Sequence, residues 1–262
     1  MTDPVEPVWA ALRTFTPARI GVGRAGCSQT CRSHLQFQRD HARARDAVLA
    51  PLDVDGLIRA LALPVVVVES AAGDRGTYLQ RPDLGRELRA SDREQLRSLA
   101  GDADTRFDLA LVIGDGLSAL AVQRQVPGFL SALLPLLQNW RLAPVVVATQ
   151  ARVALADDVG SALGARMSLL LIGERPGLSA ADSLGAYLTW APQPGRRDAE
   201  RNCISNIRPE GLDPAAAAQT CAYLIGVALR SCQTGIDLKD HSQTLENTSD
   251  LRIPFLRPAL PE

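Results

Sequence analysis

Two carboxylates stand where an apolar run breaks into glycine: Asp115 in "GDGLS" (114–118) and Glu174 in "GERPG" (173–177). Glycine beside each lets a ligand come close to the backbone. Two carboxylates at one rim act either as acid and base or as hydrogen-bond acceptors for a ligand rich in amides. Neither has a histidine or lysine nearby to drive proton transfer, which favours the acceptor role. A structural role stays open beside it: Asp115 as the N-cap of the next helix, and Glu174 paired with Arg175 or another arginine. Two further segments, "TQARV" (149–153) and "RNCISNI" (201–207), also end or form β-rich runs. Of the five cysteines, Cys203, beside Asn202 and Ser205, is the one placed to touch a ligand. Cys221 and Cys232 fall in an apolar helix and read as core.

Other constellations carry less. "GVGRAG" (21–26) matches the dinucleotide fingerprint G-x-G-x-x-G and finds Asp46 about 20 residues on. That fingerprint needs a buried strand before the glycines, yet "RTFTPARI" is short and proline-broken and "HARARD" reads as helix, so a glycine-rich turn is expected. "CSQTCRSH" places Cys27, Cys31 and His34 at spacings that could seat a metal, but a fourth ligand is missing nearby. No metal site is expected. Apart from Lys239 every Lys/Arg position is arginine. A phosphate-loop lysine or a Schiff-base lysine in the core is therefore excluded.

The elements that must position these residues follow from the apolar pattern. "PVVVVES", "FDLALVIGDG", "APVVVATQ" and "RMSLLLIGE" are continuous β-rich runs, as in strands buried on both faces. Helical segments separate them: "DLGRELRASDREQLRSLA", "LSALAVQRQVPGFLSALLPLLQNW" with a break expected at Pro127, and "LADDVGSALGA". The alternation predicts an α/β fold, a Rossmann-like, doubly wound, mainly parallel sheet with a small N-terminal helical region. Residues 1–60 form that region, 61–240 the α/β domain, and 241–262, with Pro254, Pro258 and Pro261, an extended or disordered extension. A last helix over "DPAAAAQTCAYLIGVALRSC" has Asp213 as N-cap and Gly235 just past its end. In such sheets ligands bind beyond the carboxyl ends of the strands, which is where Asp115 and Glu174 fall.

Composition narrows the partner. With 262 residues, 46% hydrophobic, and a net charge of -1, the chain has length for a core and no basic footprint for nucleic acid. Aromatic residues, at 4%, are too few for a base-stacking platform. No apolar run is expected to reach the roughly 20 residues that cross a bilayer, and "MTDPVEPVWAALR" has no leader pattern. Membrane association is not expected, and the odd, irregularly spaced cysteines suit a reducing cytoplasm.

Six segments in register, "TPARIGVGRAG", "DHARARDAV", "YLQRPDLGR", "GDGLSALAV", "GERPGLSAADSLGAYLT" and "ERNCISNI", resemble the small (light) subunit of ethanolamine ammonia-lyase. The likeness runs from about Thr16 to Asp240. It implies a subunit of an adenosylcobalamin-dependent lyase converting ethanolamine to acetaldehyde and ammonia. In that family a large TIM-barrel subunit binds substrate and hosts the radical chemistry, while the small subunit covers the other side of the corrinoid. The resemblance carries cobalamin contacts to Val153, Glu174 and Cys203, and we add their neighbours Arg152 and Asp115. No catalytic residue is expected in this chain, and in isolation it is expected to be inactive. The motif D-x-H-x-x-G is missing, so on the family's pattern the dimethylbenzimidazole stays on cobalt.

Three departures accompany the resemblance. "GCSQTCRSH" replaces an expected proline- and arginine-containing loop. The chain begins almost directly at the core, whereas a longer N-terminal extension accompanies microcompartment packaging in some relatives, so packaging stays open. The tail past Asp240 runs beyond the usual end. Two other classes remain: a stand-alone nicotinamide- or flavin-dependent oxidoreductase using "GVGRAG", and a scaffold subunit that binds the large chain but no corrinoid.

Overall fold

The computed structural model describes residues 6–16, 18–100 and 106–242. Three helices lead: α1 (Glu6–Leu12), α2 (Cys31–Leu49) and α3 (Val54–Leu61). Thr30 and Asp53 cap the second and third, their side chains accepting from the Ser33 and Gly56 amides. The rest alternates: β1 (Val65–Glu69), α4 (Arg75–Gln80), α5 (Ala90–Ser98), β2 (Leu109–Gly114), α6 (Ala119–Leu133), β3 (Val145–Thr149), α7 (Leu155–Ala162) and β4 (Met167–Gly173). Then come β5 (Leu184–Trp190), β6 (Arg201–Ile207) and α8 (Pro214–Ser231). Asp213 caps α8 through the Ala215 and Ala216 amides. That helix ends on Cys232 in a left-handed conformation, before Gly235 is reached.

The strands form one sheet in the order β1-β3-β2-β4-β5-β6. Pairs β1/β3, β3/β2 and β2/β4 are parallel, whereas β4/β5 and β5/β6 are antiparallel. The sheet is thus mixed, not the mainly parallel Rossmann-like sheet that the four apolar runs suggest. The reason lies after β4: residues 174–183 and 191–200 contain no crossover α-helix, so each strand must return beside its predecessor.

Alternate residues of the central strands serve two cores. Leu109, Leu111 and Ile113 pack with α6 and α8 on one face. Ala110 and Val112 pack on the other with Leu96 of α5 and Leu155 and Val159 of α7. Pro127 does not interrupt α6. An interior proline costs about 3 kcal/mol in a helix, and here the burial of Val122, Val126, Phe129 and Leu130 outweighs it. Residues Ala119–Leu137 are long and apolar enough to cross a bilayer, against the expectation from sequence. The apolar side chains of this segment instead fill the core between sheet and α8.

The α5–α7 contact is pinned electrostatically. Asp158, buried on α7, accepts from Arg93 Nε at 2.9 Å, from Arg93 Nη2 at 2.5 Å and from the Leu88 amide at 2.9 Å. Removing the carboxylate leaves a guanidinium and an amide unpaired. We expect Asp158→Ala to destabilise the fold by roughly 2–4 kcal/mol, read as a lowered denaturant midpoint.

Candidate functional site

At the carboxyl ends of β2, β3 and β4 lies a cavity of about 280 Å³. Gly116, Leu117, Ile172 and Gly173 form one side of it; Tyr78, Arg152, Val153, Glu174, Arg175 and Tyr187 complete it. The β2 and β4 ends interlock there: the Leu117 amide donates to Gly173 O at 2.9 Å. A Cβ on Gly173 would stand 2.0 Å from Ser118 O, so only glycine permits that approach.

Asp115 is buried beneath this rim and does not line the cavity. Ser118, not Asp115, caps α6. The Asp115 carboxylate accepts from the Gln150 and Ala151 amides, each at 2.9 Å, and from Arg75 Nη1 at 3.4 Å. Burial pushes its carboxyl above the usual range, opposed by those amides and by Arg75. Gln150 takes φ 56°, a left-handed turn that swings the chain off β3 and presents Arg152 and Val153. From the other side Tyr78 grips the same turn: its hydroxyl donates to Ala151 O at 3.1 Å. The Arg152 amide donates to Gly85 O at 2.8 Å. Burial pushes the Tyr78 phenol up to about 12.

Glu174 is half-buried and pairs with no arginine among the described residues. Its Oε2 accepts from Ser183 Oγ at 2.5 Å and from the Asn206 amide at 3.2 Å, linking the β4 end to the β5 start and to β6. Cys203 is exposed on β6, opposite Tyr187 of β5. Burial and the Cys203 thiol beside it push the Tyr187 phenol up.

Residues 6–239 match the family model described as "Ethanolamine ammonia-lyase light chain (EutC)". The chain belongs to the ethanolamine ammonia-lyase light-chain family. It is 51% identical over 243 residues to the ethanolamine ammonia-lyase small subunit of Azotobacter vinelandii, covering 91% of this chain and 90% of that one. Similarity to the small subunit of Pseudomonas paraeruginosa is 51% over 259 residues, covering 96% and 94%. With that of Bradyrhizobium diazoefficiens it is 52% over 250 residues, covering 92% and 95%.

Within this light-chain fold, Arg152, Val153 and Glu174 share one cavity lining; Cys203 stands one strand beyond Tyr187, and Asp115 lies underneath. Tyr78 and Tyr187 were not singled out from sequence. Tyr187 had a signal: in "SLGAYLTW" Leu184, Ala186 and Leu188 alternate into one core, which puts Tyr187 on the opposite face.

The remaining constellations do not assemble. Residues 21–26 form a loop that leads to α2, and among the described residues no strand precedes it, unlike a dinucleotide site. Cys27 and Cys31 are exposed, and His34 bonds Gln38 at 2.9 Å. Among the described residues no group of three or more His, Cys, Asp or Glu is placed to share a metal. Cys232 is exposed at the α8 end, contrary to its reading as core, whereas Cys221 is buried. Except for His241 and Ser242, the C-terminal extension lies outside the described residues.

Asp115→Asn keeps the shape but offers a donor where an amide must be accepted. We expect a loss of roughly 1–3 kcal/mol in stability, with faster hydrogen exchange at the Gln150 and Ala151 amides.

Proposed function

We propose that this chain is the small subunit of an adenosylcobalamin-dependent ethanolamine ammonia-lyase and holds part of the cobalamin in the cavity at the strand ends. The observation that carries the reading is the convergence of Arg152, Val153 and Glu174 on one lining. Val153 and Glu174 are two of the three positions to which the resemblance carries cobalamin contacts, Arg152 is the neighbour added to them, and the third, Cys203, lies outside the lining, on β6. The donor set fits the group. A corrinoid presents amides around a flat ring, together with an anionic nucleotide arm, so its holder needs acceptors, apolar contact and cationic donors.

Glu174 engages Ser183 and Asn206 through Oε2, which fixes the carboxylate while Oε1 remains to accept from a corrin amide. Val153 and Ile172 give apolar contact, and the bare backbone at Gly116 and Gly173 gives room. Cys203 and Tyr187 extend the surface along β5 and β6. A cavity of about 280 Å³ takes only an edge of so large a ligand, consistent with a cofactor shared with a second chain. When bound, the cofactor supplies a radical by homolysis of its cobalt–carbon bond. This chain's residues bind and orient; the large subunit carries substrate and radical chemistry.

The test is cobalamin binding by the co-expressed two-subunit complex, followed by absorbance of the co-eluting coloured species. Glu174→Ala should weaken binding by roughly 1–3 kcal/mol, from one unmade buried hydrogen bond. Unchanged affinity would favour a scaffold role. Acetaldehyde formation by the complex should require added adenosylcobalamin.

A further inference from the structure

Two guanidinium groups flank one buried phenol ring beside the cavity. Arg75 Cζ lies 4.7 Å and Arg152 Cζ 4.2 Å from the Tyr78 ring centroid. Stacking of cations on a ring costs neither of them its in-plane donors. The two arginines nevertheless end up in different states. Arg75 is engaged through two of its nitrogens: Nη1 reaches Asp115 at 3.4 Å and Gly116 O at 2.8 Å, and Nε donates to Val48 O at 2.7 Å, while its buried Nη2 has no hydrogen-bond partner among the described residues. Arg152 donates only from Nη2, to Tyr78 O at 3.2 Å, and its buried Nε has no hydrogen-bond partner among the described residues. A buried charged donor without an acceptor is costly; of the arginines that carry one, Arg152 is the one whose side chain lines the cavity.

The charge around the cavity has a definite sign. Arg152 and Arg175 line it against the single carboxylate Glu174, one oxygen of which is already committed to Ser183 and Asn206. The Arg75–Asp115 pair below is balanced within itself. The lining therefore favours an anion of low charge near Arg152. Cobalamin is edged with neutral amides and carries one fixed anion, the phosphodiester that joins the corrin side chain to the nucleotide.

We propose that Arg152, held over the Tyr78 ring, is the anion subsite of the cavity and receives the phosphodiester of the cobalamin nucleotide arm. The proposal rests on the corrinoid reading above and adds which part of the molecule lies at Arg152. Tyr78 acts as a positioning residue: its ring supports the guanidinium, and its hydroxyl anchors the turn that carries it.

Three corrinoids separate the possibilities when titrated into the co-expressed two-subunit complex and followed by visible absorbance. They are cobalamin, cobinamide, which lacks the phosphate and nucleoside, and a cobinamide methyl phosphodiester, which has the anion but no base. In the wild-type complex the two phosphate-bearing forms should bind more tightly than cobinamide. Arg152→Gln should weaken both by roughly ten- to hundredfold and leave cobinamide within about twofold, which also shows that the variant is folded. Arg152→Lys should recover part of the loss, since it keeps the charge without the planar fork. Equal weakening of all three ligands, or no weakening, overturns the phosphodiester assignment while leaving the corrinoid reading standing. Failure of the wild-type complex to bind any of them overturns both.

Discussion

A single buried carboxylate organises the rim of this sheet. Asp115 follows β2 directly, and its two oxygens take the amides of Gln150 and Ala151, which follow β3. Adjacent parallel strands are thereby joined at their exits by side chain as well as by ladder. The cost of burying the charge is only partly offset by those amides and by Arg75, which in turn reaches back to Val48 at the end of α2. One residue thus couples the N-terminal helices, the strand exits and the turn that presents Arg152 and Val153.

The cavity is a product of that coupling together with two backbone approaches. Tyr78 and Gly85 hold the turn after β3 from outside. Gly116 and Gly173 bring the exits of β2 and β4 so close that any side chain at Gly173 would strike Ser118 O. Glu174 extends the frame sideways, through Ser183 and Asn206, onto the antiparallel strands. Five sheet strands, β2 to β6, therefore contribute to one frame around a small opening. A surface that must match a large, stiff ligand on one side benefits from such preorganisation, because little ordering remains to be done on binding.

Much of this was legible in the residues, and what was not has a physical cause. The parallel strands announced themselves as unbroken valine and leucine runs because both their faces are buried. Asp213 read correctly as a cap because capping is local. The reversal after β4 was not legible: "GERPG" signals a turn but not the direction of return, and that direction made the sheet mixed. Pro127 read as a break because local propensity ignores the core that keeps α6 continuous through it. Position on strand ends indicated Glu174, yet whether Asp115 would touch a ligand or support a loop depended on the turn at Gln150, which is set by folding and encoded in no spacing. The family motifs supplied Val153, whereas Tyr78 and Tyr187 emerged only when distant segments were brought together.

The ion pairs of the fold, at Arg93–Asp158, Arg201–Asp157 and Arg75–Asp115, all use guanidinium as the cation. Lysine occurs only at Lys239, outside the cavity lining. Guanidinium keeps its proton throughout the working pH range, so mild alkali discharges none of these pairs. Amine-directed labelling has a corresponding simplicity: apart from the terminal amine it meets one side chain, and the sheet, its clamps and its opening carry no group for such a reagent to modify.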